Sequence, residues 1–144
     1  MNKLFSTLLL ALSVCLTACA DEKVITAEQL PATAQTFVKT YFADDAITLV
    51  MQDRDGLSLE YEVRLNSGSK IEFDGKGEIK KVDCQAREVP EGIVPEAVKK
   101  YVATTFPNTM ITEWGKDGRK WKAELNNGID LEFNSKYEFV RIDD

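Results

Sequence analysis

The chain carries one pattern twice, and a duplicated pattern limits the fold before any single residue is weighed. In its helical part, Leu30-Pro31-x-x-Ala34-x-x-Phe37-Val38-x-x-x-Phe42 returns as Val94-Pro95-x-x-Val98-x-x-Tyr101-Val102-x-x-x-Phe106. In its strand part, Tyr61-x-Val63-x-Leu65-Asn66-x-Gly68 returns as Trp121-x-Ala123-x-Leu125-Asn126-x-Gly128. Ile71-Glu72-Phe73-Asp74-x-Lys76-x-Glu78 likewise returns as Leu131-Glu132-Phe133-Asn134-x-Lys136-x-Glu138, and Val82-Asp83 and Ile142-Asp143 close the copies. The offset falls from 64 in the helix to 60 in the strands, so a middle loop of the second copy is shorter by about four residues. Two repeats, 30–86 and 87–144, are expected in one compact domain, and most shared residues serve the shared fold.

Within each copy the apolar period changes once. Behind a helix entry at Thr26-x-Glu28 and Pro31, residues Ala34, Phe37, Val38, Tyr41 and Phe42 recur at helical spacing. Alternating segments follow: Ile47 to Gln52, Leu57 to Leu65, Lys70 to Phe73 and Ile79 to Asp83. Turn residues separate them at Asp53-Arg54-Asp55-Gly56, Asn66-Ser67-Gly68 and Asp74-Gly75-Lys76-Gly77. The second copy predicts a helix from Pro95 to Phe106, then strands near Met110 to Trp114, Arg119 to Asn126, Ile129 to Asn134 and Glu138 to Ile142. The fold class is α+β, with two tandem helix-plus-four-strand antiparallel repeats. They are expected to form one curved sheet of about eight strands with both helices on one face. The other face would carry Glu60, Glu62, Arg64, Glu72, Lys122, Glu124, Asp130 and Glu132.

The first twenty residues read as an address. Lys3 is the only charge before Asp21, and Leu4 to Val14 form an apolar run of signal-peptide length, too short to span a bilayer. It ends in Leu16-Thr17-Ala18-Cys19, which resembles the bacterial lipobox. That resemblance implies cleavage after residue 18, lipid on Cys19, a tether and leader over 19–29, and attachment to the outer membrane. Such lipoproteins carry several acyl chains, which together anchor durably. Ala18-Cys19-Ala20 equally satisfies the rule for ordinary signal peptidase, which would cut after residue 20 and release a soluble protein. Either route takes the protein out of the cytoplasm, to the periplasm or the cell surface. Asp21 and Glu22 after the cysteine resemble a surface-export signal.

About 125 residues remain, enough for one ordinary domain with a real core. Lys3 leaves with the signal, so 17 basic residues face 24 acidic ones and the mature charge is −7. Without a basic cluster, neither nucleic acid nor anionic lipid is an expected partner, and membrane contact would come only through the lipid anchor. Cys15 lies inside the signal, Cys19 is the lipid site, and Cys84 stands alone at the end of an alternating run. Cys84 can be a reactive leftover thiol or a small buried hydrophobe, and its place favours burial.

With these residues in place, the chain resembles the beta-lactamase-inhibitor-like (PepSY-like) family of exported Bacteroides-type proteins. The signature is a helix followed by Tyr-x-Val-x-Leu-x-x-Gly-x-x-Ile-x-Phe-Asp, as in Tyr61 to Asp74; Trp121, Leu125, Gly128, Leu131, Phe133 and Asn134 match it in the second copy. Many members have Trp late in the unit, where Ile79 and Phe139 stand here. The resemblance implies a fold like that of beta-lactamase inhibitor protein, whose curved sheet grips a partner. It implies no enzymatic activity, and fold alone does not carry function.

Chemistry is scarce. The sequence has no histidine, which removes the commonest general base, the Ser-His and Cys-His nucleophile pairs and the usual zinc ligand. No glycine-rich loop leads from a strand into a helix, so phosphate and dinucleotide signatures are absent. Calcium is the one candidate cofactor: Asp53-x-Asp55-Gly56 resembles part of an EF-hand loop, with Glu62 at its twelfth position. Met51 at the first position cannot bind calcium, and hairpin turns explain Asp-Gly without metal. The leading expectation is a non-enzymatic module that binds an envelope protein through Glu60, Glu62, Arg64, Lys122 and Glu124. Trp114 is either an aromatic anchor there or a packing residue. The alternative is a calcium- or ligand-responsive sensor.

Overall fold

The computed structural model describes residues 21–143; the signal segment, Cys15 and Cys19 lie outside the described residues. Two α-helices, α1 (Ala32–Tyr41) and α2 (Glu96–Thr105), accompany nine strands. The strands are β1 (Lys23–Val24), β2 (Ile47–Asp55), β3 (Ser58–Leu65), β4 (Lys70–Asp74), β5 (Ile79–Asp83), β6 (Ile111–Asp117), β7 (Lys120–Leu125), β8 (Asp130–Phe133) and β9 (Phe139–Asp143). They form one open antiparallel sheet in sequence order, β1 to β9. The class is α+β.

The strand count exceeds expectation by one. Lys23 and Val24, within the span expected to be tether and leader, pair with Gln52 and Met51. The Ile25 amide donates to the Val50 carbonyl at 3.0 Å. An uncovered β2 would present a row of unpaired backbone groups, and this short segment satisfies part of it. Ile25 and Leu30 are buried with the core, so the leader is bound down at both points.

One row of side chains shows how the core is made. Val50, Val63, Ile71, Val82, Trp114, Ala123, Leu131 and Ile142 are successive cross-strand partners from β2 to β9. All but the last are buried. Ten-residue helices are marginal alone and need such a surface. In α1, Ala34 and Val38 are buried, and Phe37 meets Phe73 edge-on at 5.6 Å. In α2, Val98 and Val102 are buried, and Tyr101 meets Phe133 at 5.8 Å and stacks on Phe139 at 4.7 Å. Prolines 31 and 95 sit just ahead of the helices, where a missing N–H costs nothing.

Cys84 follows β5 and is buried, and burial pushes its thiol up from the ordinary range. It is a packing residue rather than a nucleophile.

Candidate functional site

The face of the sheet opposite the apolar row is built from charge. Met51, Glu62, Glu72, Lys81, Gly115, Lys122, Glu132 and Arg141 are successive cross-strand partners, so their side chains share one face. A second row on that face reads Leu49, Arg64, Lys70, Asp83, Glu113, Glu124, Asp130, Asp143. Its last five members are all carboxylates. A third, shorter row holds Asp53, Glu60 and Asp74.

Ion pairs tie the rows together unevenly. Over β3 and β4, Glu62 is held by Arg64 and Lys70, Lys70 also reaches Glu72 at 3.2 Å, and Glu60 is bonded by Lys80. Over β5 to β9, Lys81 reaches Glu113 at 2.8 Å, and Lys122 reaches Asp143 at 2.8 Å and Asp130 at 3.6 Å. Glu132 lies between Lys120 and Arg141, its side chain only 4% exposed. The hydrogen bond from Lys120, then that from Arg141, hold its carboxyl below the usual range. Lys122 does the same for Asp143.

Glu124 differs from its neighbours. Burial of part of the carboxylate, then the charges of Glu113, Asp130 and Asp83, push its pKa up. A carboxyl with a raised folded-state pKa supports the fold when protonated, and that support is lost as pH rises through the folded pKa. Glu124→Gln is therefore expected to raise the thermal midpoint at pH 7. The gain should vanish below the carboxylate range and shrink in 1 M salt. The side chain is exposed, so the gain is at most about 0.5 kcal/mol. Paired melts of the two proteins across pH 3–8 give the sign.

The sequence candidates fall as follows. Glu60, Glu62, Arg64, Lys122 and Glu124 share the charged face, but in two groups: the first three on β3, the others on β7. Trp114 is not among them. It is 2% exposed, pairs with Val82 and Ala123 on the apolar face, and stacks on Trp121 at 5.0 Å and 5°. A register shift between Ile111 and Glu113 sets this phase: Glu113 faces Glu124 and Trp114 takes the place Val50 has in β2. The anchor alternative for Trp114 is thereby corrected, because no partner on the charged face can reach it.

Asp53 and Asp55, expected in a turn, lie in β2, which runs on to the two-residue turn at Gly56-Leu57. Gly56 has φ +60°, as a tight hairpin requires. An extended strand does not fold around a cation, and the carboxylate facing Asp53, Glu60, is taken by Lys80. These two aspartates do not form the EF-hand-like loop that their spacing resembles. Among the described residues no group of three or more Asp, Glu or Cys side chains is placed to hold a metal. Sequence reasoning missed Lys81, Asp83, Glu113 and Asp143. Alternation in β5, β6 and β9 was a usable signal for them, but the alignment of Asp83 and Glu113 with Glu124 and Asp130 depends on the seam between the halves.

Among the described residues no helix is long and apolar enough to cross a membrane. No curated protein matches the chain. Solved structures do. A putative periplasmic protein from Bacteroides vulgatus is 37% identical, with 86% of this chain and 98% of that one covered at a TM-score of 0.82. A putative calcium-regulated periplasmic protein from Bacteroides thetaiotaomicron is 36% identical, with the same coverage and TM-score. A second putative periplasmic protein from Bacteroides vulgatus is 23% identical, with 85% and 99% covered at a TM-score of 0.81, and shows likeness of fold alone. Residues 59–141 match the family described as "Putative beta-lactamase-inhibitor-like, PepSY-like", and the chain belongs to that family.

Proposed function

We propose that the chain is a non-enzymatic binding module of the cell envelope, exported and lipid-anchored at Cys19, that holds a protein partner on the charged face of its sheet in an inhibitor-like way. Two tandem helix-plus-four-strand units, 30–86 and 87–144, would set both helices over the apolar face of a curved sheet and leave the charged face open. The observation that carries this reading is the row Asp83, Glu113, Glu124, Asp130, Asp143, five carboxylates aligned across five strands. Aligned like charges destabilise a sheet; Lys81 and Lys122 offset this at Glu113, Asp130 and Asp143, and the cost that remains falls at Glu124, whose carboxyl burial and the neighbouring charges push up. A basic segment of a partner would relieve it and gain complementarity. The periplasmic relatives support export, and a chain without histidine supports a role outside catalysis.

A calcium-responsive role is the second reading, favoured by the name of the Bacteroides thetaiotaomicron relative. One experiment separates the two. Protein from Asp21 onward captures partners from envelope extract, beside a variant with Glu60, Glu62 and Glu124 changed to Lys. Calcium is titrated into both by calorimetry, together with Asp53→Asn/Asp55→Asn protein. The binding reading expects one dominant protein held only by the unaltered bait, with no calcium transition up to millimolar. A specific transition in the micromolar range, lost on changing Asp53 and Asp55, transfers the support to calcium sensing.

A further inference from the structure

The apolar row ends abruptly. Its members from Val50 to Leu131 are at most 3% exposed, whereas Ile142 on β9 is 47% exposed, beside Phe139 at 37% and Val140 at 45%. The first half of the chain shows what this strand type looks like when covered. β5 meets β4 as β9 meets β8: Val82 opposes Ile71 as Ile142 opposes Leu131, and a register shift follows Ile79 as it follows Phe139. Val82 is fully buried because β6 lies along β5 and sets Trp114 beside it. Just past β5, the Cys84 amide donates to the Thr112 carbonyl at 2.9 Å. Among the described residues no strand lies on the outer side of β9. At the opposite end of the sheet, β1 already occupies the edge of β2.

An exposed apolar edge strand is a template for another strand. We propose that β9 pairs antiparallel with β9 of a second copy of this chain, about a two-fold axis through Ile142, joining two nine-stranded sheets into one. The choice of occupant rests on self-complementarity. Antiparallel pairing centred on Ile142 sets Ile142 against Ile142 of the second copy, which extends the apolar row across the axis. The same rotation sets Arg141 opposite Asp143 of the second copy, and Asp143 opposite its Arg141, both on the charged face. Cross-strand pairs of opposite charge stabilise, and like charges directly opposite destabilise. Arg141 and Asp143 lie 2.9 Å apart on the same face of β9 within one copy, where Arg141 also meets Glu132 and Asp143 also meets Lys122, so the pairs across the axis would extend an existing ion-pair network. An interface of this kind uses the same patch on both subunits and closes on itself. Docking β9 on β2 of another copy would require β1 to leave and would propagate without end. The inference is independent of what the charged face binds, although a dimer would present two such faces.

Sedimentation equilibrium on protein from Asp21 onward tests it. This span holds every described element, and the solved relatives match 86% of the chain. The expected result is a monomer–dimer equilibrium. Ile142→Lys sets two ammonium groups at the axis. Arg141→Asp and Asp143→Lys each place like charges opposite one another twice. Each of the three should weaken the dimer by about tenfold or more, with circular dichroism checking that each variant is folded. Arg141→Asp mixed with Asp143→Lys should dimerise again, because every position 141 then faces a position 143 of opposite charge; a variant that had merely lost its fold would not be rescued by mixing. A protein that stays monomeric up to about 1 mM overturns the proposal. So does a dimer indifferent to Ile142→Lys, a mixture that does not recover, or open-ended assembly in place of a dimer.

Discussion

Replacing Trp114 with alanine is expected to cost about 3–5 kcal/mol of unfolding free energy, the largest loss we foresee from one substitution. The indole is buried, lies flat on Trp121, and has Phe133 at 6.2 Å and Tyr137 at 6.3 Å. It also stands on β6, the strand that joins the two halves, between Val82 of one and Ala123 of the other. Removing it opens a cavity at that seam which surrounding strands cannot close without breaking register. A domain of this size has about 5–15 kcal/mol to lose. With a urea slope of about 1–3 kcal/mol/M, the midpoint should fall by about 2 M. Far-ultraviolet circular dichroism is the appropriate probe, because tryptophan fluorescence changes with the substitution itself. Trp114→Phe should recover a large part of the loss. A cost below about 1 kcal/mol would mean that the indole is not held in the core, and the alternation assigned to β6 would be wrong.

Gly77→Ala is expected to be the second most damaging change, at about 2–4 kcal/mol. Two physical terms add there. Gly77 has φ +82°, a conformation that a Cβ disfavours by about 1–2 kcal/mol. A Cβ on it would also stand 2.8 Å from Cβ of Pro31 and 2.9 Å from the backbone nitrogen of Ala34. Those atoms belong to the start of α1, so the β4–β5 turn and the helix must move apart. Gly56→Ala isolates the first term, because Gly56 has φ +60° and nothing within 4 Å of its Cβ position; it should cost about 1 kcal/mol. The second copy makes the same point. Tyr137 stands where Gly77 does, at φ +62°, and its ring lies 6.0 Å from Trp121 and 6.3 Å from Trp114. There the strained backbone is offset by aromatic contact. Equal losses at Gly56 and Gly77 in urea titrations would show that the turn does not press on α1.

Much of this molecule can be read from its amino acids. The doubled pattern, the helical stripe of Ala34 and Val38, and the alternation of Tyr61, Val63 and Leu65 against Glu60, Glu62 and Arg64 are local properties. They follow from the 3.6- and 2-residue periods of helix and strand. The same periods place Glu72, Lys122, Glu124, Asp130 and Glu132 on one face without knowledge of the fold. Local pattern fails where a segment's state depends on a neighbour distant in sequence. The β-branched run Val24-Ile25-Thr26 is too short to mark a strand by itself, and Lys23-Val24 is a strand because β2 offers it an edge. Asp53 and Asp55 look like turn residues, but β3 pairs with them up to Ser58 and keeps them extended.

The composition of the charged face divides in the same way. That Glu113 and Asp83 alternate with apolar residues is a matter of sequence. That they stand side by side, in line with Glu124, Asp130 and Asp143, comes from β5 lying against β6 and from the register shift inside β6. Whether Trp114 is an anchor or core is decided by that same shift, since a slip of one residue exchanges the two faces of a strand. The sequence by itself therefore determined the α+β plan of helices and antiparallel strands and the side on which each charge falls within its own strand. Only the tertiary structure decided which charges meet and that β1 caps the β2 edge, because hydrogen-bond register between strands is set by pairing across the sheet and not by the period along any one of them.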